Sequence, residues 1–189
     1  MTELRTTRNP EARFEALAHV VVEPLHRYLV RRADADMVDD VLSETLLVLW
    51  RRLDDVPGLG SGPAIDPDDV LPWCYGVARG CLANARRADS RRLRLVERLT
   101  RTREALPTAP PDHSDLHAAL DKLSVLDREV VLLWAWEELA PLQIAEVTGM
   151  TSNAVSIRLH RAKKKLAGLL ERKNSTPAGH ETSEGRSSR

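Results

Sequence analysis

Two small all-α domains joined by a flexible proline-rich linker are what this 189-residue sequence predicts. Apolar residues recur at three- and four-residue intervals along most of the chain, and no clear strand pattern of strict alternation emerges. The segment Ala105-Leu-Pro-Thr-Ala-Pro-Pro-Asp-His113 holds three prolines, which prevent a helix and favour an extended tether. Aromatic residues are only 4% against 42% hydrophobic overall, so Leu, Val and Ala must build the cores. Two cysteines do not make a disulfide framework, which fits a reducing cytosol. The longest apolar run, from Val130 to Trp136, is too short to span a bilayer, and the N-terminus lacks the apolar core of a signal peptide.

The elements follow in order. Phe14, Leu17, Ala18, Val21, Val22, Leu25, Tyr28 and Leu29 set a helix over about 11–32, with Pro24 as a potential kink. Val38, Val41, Leu42, Thr45, Leu46, Leu49 and Leu53 set a second, whose first turn carries Asp39 and Asp40, favourable at the positive end of the helix dipole. Residues 56–67 form a loop rich in Gly and Pro. A third helix spans about 70–87, on Leu71, Tyr75, Ala78, Leu82 and Ala85, and a basic fourth spans about 90–102. After the tether, Leu116, Leu120 and Leu123 mark a short helix, and 130–139 a very apolar one. Residues 174–189 hold almost no apolar side chains and are expected to be disordered.

Residues 141–162 read as a helix-turn-helix. Pro141 suits a first helical turn, Gly149 the positive φ of a tight turn, and Thr151 or Ser152 the cap of the second helix. Val155, Leu159, Ala162 and Leu166 form that helix's buried stripe. Ser152, Asn153, Ser156, Arg158, His160 and Arg161 are left largely exposed. A helix with a polar start and a basic end suits the DNA major groove; an ordinary hairpin with a solvated basic helix shows the same stripe.

Formal net charge is +0, yet the charge is blocked. Acids dominate 34–69 and bases 86–104; acids dominate 114–147 and bases 151–173. Two basic blocks in a neutral chain read as two separate phosphate-binding surfaces.

The C-terminal half resembles region 4 of sigma-70 family factors of the extracytoplasmic-function type. The resemblance rests on Asp127-Arg128-Glu129-Val130, Ile144-Ala145-Glu146 and Arg158-Leu159-His160-Arg161-Ala162. In the N-terminal half, Asp39-Asp40-Val41-Leu42-Ser43-Glu44-Thr45-Leu46 to Trp50 resembles the family's polymerase-binding helix. Trp73 to Asn84, with the following arginines, resembles its promoter −10 reader. The likeness covers most of 13–170 in family order. Ser43, Leu46 and Val48 depart from residue types frequent in that family.

The resemblance implies that the chain binds core RNA polymerase and that the holoenzyme recognises promoter DNA. Asp40, Ser43, Glu44, Leu47 and Arg51 would face the polymerase. At the −10 element, Arg79, Arg86, Arg87, Arg91 and Arg92 would contact phosphates, and Asn84, both donor and acceptor, would read an unstacked base. Ser152, Asn153, Ser156, Arg158, Arg161 and Lys163 would engage the −35 element. The implied division is a disordered start (1–10), a region 2 domain (11–103), a linker (104–113), a region 4 domain (114–172) and a disordered tail (173–189). An anti-sigma factor is an implied partner; the resemblance implies no cofactor, no catalytic residue, a cytoplasmic location and a monomer when partners are absent.

Other constellations read as structural. Trp73 and Tyr75 are expected in a core, so strand separation by stacked aromatics is not supported. Cys74 and Cys81, seven apart on one helix, are too distant for a disulfide and read as small apolar packers. Trp134 and Trp136 read as core or as an interface covered by a partner. His113 and His117 share a potential helix face but lack an evident third metal ligand. A free-standing helix-turn-helix regulator and a metal-dependent enzyme using those histidines are the competing classes.

Overall fold

The structure, a computed structural model, describes residues 9–60, 64–99 and 115–174. The expectations for the tether, for His113 and for 1–8 and 175–189 of the chain ends lie outside these; Pro10, Lys173 and Asn174, which the sequence reading assigns to disordered ends, are helical. Among the described residues every regular element is helical.

Helix α1 (Pro10–Val30) opens with Pro10, and the Asn9 side chain accepts from Glu11 N at 3.0 Å, satisfying one of the free N–H groups of the first turn. It runs unbroken through Pro24 and buries Leu17, Val21, Leu25, Tyr28 and Leu29. A 3-10 turn (Ala35–Met37) leads into α2 (Val38–Arg51), which buries Val38, Val41, Thr45 and Leu49. The one polar member of that stripe, Thr45, donates to Val41 O at 2.7 Å, so its burial leaves no hydroxyl unsatisfied.

The third and fourth helices of the sequence reading are one continuous helix, α3 (Pro67–Leu99). The stretch Ala85-Arg-Arg-Ala-Asp-Ser-Arg-Arg92 looks like a boundary by charge. It contains no Gly or Pro, and Ala and Arg are strong helix formers, so nothing stops the helix. Asp66 caps it, accepting from Asp68 N at 3.0 Å. Helices α1, α2 and α3 pack pairwise around Val70, Cys74, Tyr75, Ala78 and Leu82.

Both cysteines are free and buried in this packing. Burial pushes the Cys74 thiol up to about 12 and raises that of Cys81. Alkylation of Cys74 at pH 8 is therefore expected to be more than about 100-fold slower in the folded chain than in denaturant, because the thiolate is the nucleophile. Labelling of Cys74 at the denatured rate under native conditions would contradict this packing.

The last four helices are α4 (Asp115–Leu120), α5 (Val125–Ala135), α6 (Pro141–Thr148) and α7 (Ser152–Asn174). The apolar helix expected over 130–139 starts five residues earlier, because the Ser124 side chain accepts from Asp127 N at 3.2 Å and caps it. It also ends sooner. Glu138 takes φ 56°, a left-handed conformation costing a non-glycine residue about 1 kcal/mol, and turns the chain into α6. Gly149 holds φ 72° in the next turn, its N–H bonded to Ala145 O at 2.9 Å, and Thr151 Oγ1 accepts from Ala154 N at 3.2 Å. Leu120, Leu133, Ile144, Val155, Leu159, Ala162 and Leu166 fill the core between α4, α5, α6 and α7.

The two sets of helices meet where α6 lies along α3. The Val147 backbone approaches Gly76 so closely that a Cβ there would sit 3.8 Å from Val147 Cα, and Gln143 Nε2 donates to Asp68 O at 3.2 Å.

Candidate nucleic-acid interface

Three surfaces carry the residues singled out in the sequence. On α2 the buried stripe faces α1 and α3, which leaves Asp40, Ser43, Glu44, Leu47 and Arg51 exposed together on the outer face. Asp39 extends the acidic end, and Trp50 stands edge-on to Phe14 with centroids 5.3 Å apart. Leu47 and Trp50 are 40% and 39% exposed, so the face is an apolar strip with a strongly acidic beginning.

On α3, Arg79 is half-buried, while Asn84, Arg86, Arg87, Arg91 and Arg92 are exposed over its later turns. Arg87 donates to Asn84 Oδ1, and Arg86 reaches across to donate to Arg32 O. Tyr75 is core, packed on Tyr28 at 5.1 Å, and burial pushes its hydroxyl up to about 12. Trp73 is half-buried beneath the Arg52 guanidinium, 5.1 Å from the ring centroid. A groove of about 1110 Å³ runs between α3 and α6, with Trp73, Arg79 and Asn84 on one wall and Gln143, Glu146 and Thr148 on the other.

On α7, the residues named in the sequence divide by geometry. Asn153, Ser156 and Arg161 are exposed. Ser152 and Arg158 lie on the flanks, closer to the buried stripe. Arg158 donates to Asp127 at 2.8 Å, and the Ser124 hydroxyl, then Arg158, hold the Asp127 carboxyl below its usual range. The motif Asp127-Arg128-Glu129 therefore works structurally: its first residue holds the Ser124 hydroxyl that caps α5 and fixes an α7 guanidinium. Lys163 lies over the Trp134 ring at 3.9 Å, and Arg31 over Trp136 at 5.7 Å. Both tryptophans are thus partly covered by cations, at 40% and 36% exposure. Opposite the buried stripe, in helical projection, stand Asn153, Ile157 and Lys164, flanked by His160 and Arg161. Sequence reading passes over Ile157 and Lys164; their signal is angular position on the helix, which the motif does not name.

Sequence reading also gives no hint of the ion cluster that joins the halves. Arg32, at the end of α1, donates from Nε to Glu129 at 3.2 Å and from both terminal nitrogens to Glu137 at 3.1 and 3.2 Å. Its side chain and that of Glu137 are 4% and 2% exposed. Tyr28 donates to Glu129 at 3.1 Å, and the Arg32 guanidinium stacks on the Tyr28 ring at 3.9 Å. Burial, reinforced by Glu129, raises the Tyr28 hydroxyl far above its ordinary value. Burial alone would lower the Arg32 guanidinium, but Glu129, Tyr28 and Glu137 outweigh it and raise it. Every nitrogen of the arginine is used, as a buried charge requires.

Among the described residues no cluster of metal-binding side chains occurs, and no helix is long and apolar enough to cross a membrane.

Residues 113–166 match the family described as "Sigma-70, region 4". The chain is 32% identical over 102 residues to RNA polymerase sigma factor SigV of Bacillus subtilis, a match covering 52% of this chain and 60% of SigV. It is 30% identical over 145 residues to ECF RNA polymerase sigma factor EcfG of Rhodopseudomonas palustris, covering 72% and 73% of the two chains. In fold it is similar to sigma factor RpoE of Bartonella quintana, solved with the anti-sigma factor NepR, with TM-score 0.60, 20% identity and coverage of 84% and 96%. Sigma-factor relatives matched along 72% of the chain set aside the free-standing regulator. The chain belongs to the extracytoplasmic-function class of sigma-70 family RNA polymerase sigma factors.

Proposed function

We propose that the chain is an initiation factor that binds core RNA polymerase and directs it to promoters by their −10 and −35 elements, inside the cell where polymerase and promoters are. It would do so without catalysing a reaction itself. The observation that carries this reading is one chain presenting three separate surfaces: the acidic and apolar outer face of α2, the arginine-rich later turns of α3, and the basic helix α7 behind a helix-turn-helix turn. An acidic face repels DNA and suits a protein partner, whereas the two basic faces suit phosphates.

In this reading Asp40, Ser43, Glu44, Leu47 and Arg51 dock on polymerase. Arg79, Arg86, Arg87, Arg91 and Arg92 hold −10 phosphates while Asn84 reads a base, released from Arg87 to do so. On α7, Asn153, Ser156 and Arg161 meet base edges. Ser152, Arg158 and Lys163 sit at the flanks and meet the backbone, Arg158 already oriented by Asp127. Residues 11–103 and 114–172 are the two working modules. The RpoE structure is a complex with an anti-sigma factor, and the half-exposed Trp134 and Trp136 support such a partner here. Mixing the purified chain with promoter DNA in the presence and absence of core polymerase tests the proposal. Promoter-specific retention is expected only with polymerase; equal specific binding by the chain alone would overturn it.

A further inference from the structure

We infer that Ile157 is a specificity-determining residue that reads a thymine in the −35 element by packing on its 5-methyl group; the inference rests on the proposed promoter-reading role of α7. Ile157 is 44% exposed and lies outside both the buried core and the apolar side chains packed against it. It stands in the middle of the outward ridge of α7. Asn153 lies one turn before it, Ser156 immediately before it on the side of the ridge, and His160 and Arg161 one turn after, all exposed. It is thus the single strongly apolar side chain on a ridge otherwise built from hydrogen-bonding and cationic groups.

Local stability gives no reason for it. A β-branched residue at an exposed helical position loses rotamer freedom and is a poorer helix former than Ala, Lys or Arg. The surroundings indicate what it meets. Arg161 and Lys164 make the ridge cationic, which suits a polyanion better than an apolar protein surface. In the major groove the thymine methyl is the one apolar group among the base edges, and aliphatic side chains contact it. Amide and guanidinium groups on either side are suited to the polar edges of neighbouring base pairs. The aliphatics more exposed than Ile157, which are Val30, Val125 and Leu142, are on other helices and have no such setting.

The test uses holoenzyme assembled from the full chain and core polymerase. Duplexes randomised across the −35 region are selected for binding with the wild-type chain and with Ile157→Ala, which favours helix and keeps α7 folded. The wild type is expected to fix a thymine, on either strand, at one base pair that Ile157→Ala leaves variable. Replacing that thymine by uracil in the selected promoter removes only the methyl. Binding by the wild-type holoenzyme is expected to fall about fivefold, the order expected for exposing one methyl, while Ile157→Ala is unaffected. A selected −35 sequence with no fixed thymine, a wild type indifferent to uracil, or an equal uracil penalty in both proteins overturns the inference and leaves the promoter-reading role standing. Recovery of no −35 sequence at all overturns both.

Discussion

Glu137→Ala is expected to weaken the contact between the two sets of helices by about 3–5 kcal/mol, the range found when one partner of a buried ion pair is removed. The reason is the environment of Arg32. Its side chain is 4% exposed, and both terminal nitrogens are spent on Glu137. Removing the carboxylate leaves a buried guanidinium with Glu129 and the Tyr28 carbonyl alone. Replacing the cluster together, as Arg32→Met, Glu129→Gln and Glu137→Met, is expected to recover most of the loss, because a buried ion pair and its apolar equivalent differ little in net stability. Urea unfolding followed by tryptophan fluorescence checks both. Trp50 and Trp73 report on the first three helices, Trp134 and Trp136 on the last four. Glu137→Ala is expected to separate the unfolding into two transitions, whereas an unchanged single transition would show that the cluster does not hold the halves together.

The second large effect concerns DNA. Replacing Arg86, Arg87, Arg91 and Arg92 together by Ala is expected to cut promoter affinity of the holoenzyme by about 10²–10³-fold near 0.15 M salt. It should also flatten the dependence of log affinity on log salt by about 3. Each phosphate contact releases a counterion and contributes roughly 0.7–0.9 to that slope, so four contacts set both numbers. All four side chains are exposed on one helix. The measurement is a salt titration of holoenzyme on one promoter. An affinity loss without a change in slope would mean that these arginines act other than through phosphates.

How far the sequence reaches is clearest at particular residues. Pro141, Gly149 and Thr151 are local signals, each satisfied by its own turn, and they locate α6, the tight turn and α7 correctly. The α2 stripe is equally legible, because four buried positions at helical spacing leave a defined outer face. The continuity of α3 is not legible: charge clustering from Arg86 to Arg92 mimics a boundary, while the absence of a helix breaker decides the outcome. The end of α5 depends on a left-handed Glu138, a conformation that its side chain does not favour and that lets the Leu139 N–H reach back to Leu133 O at 3.1 Å. The Arg32 cluster joins residues about a hundred positions apart, such as Tyr28 and Glu129, and no local pattern encodes such a pair. Periodicity also treats every apolar residue as a core candidate. That is why Ile157, apolar and exposed, escapes a reading that sorts α7 into a buried stripe and a polar face.

The assignment of α2 as the polymerase-docking helix is the step on which the whole account depends, since promoter reading by this class of protein begins with the holoenzyme. The direct measurement is binding of the purified chain to core RNA polymerase, compared with Asp40→Lys and Glu44→Lys combined. Both side chains are exposed and outside every described ion pair, so the double reversal leaves the fold intact, as circular dichroism would confirm. The account predicts tight binding by the wild type and at least about a 100-fold loss on reversal, as like charges meet across the interface. Wild-type affinity retained by the folded double variant would contradict it.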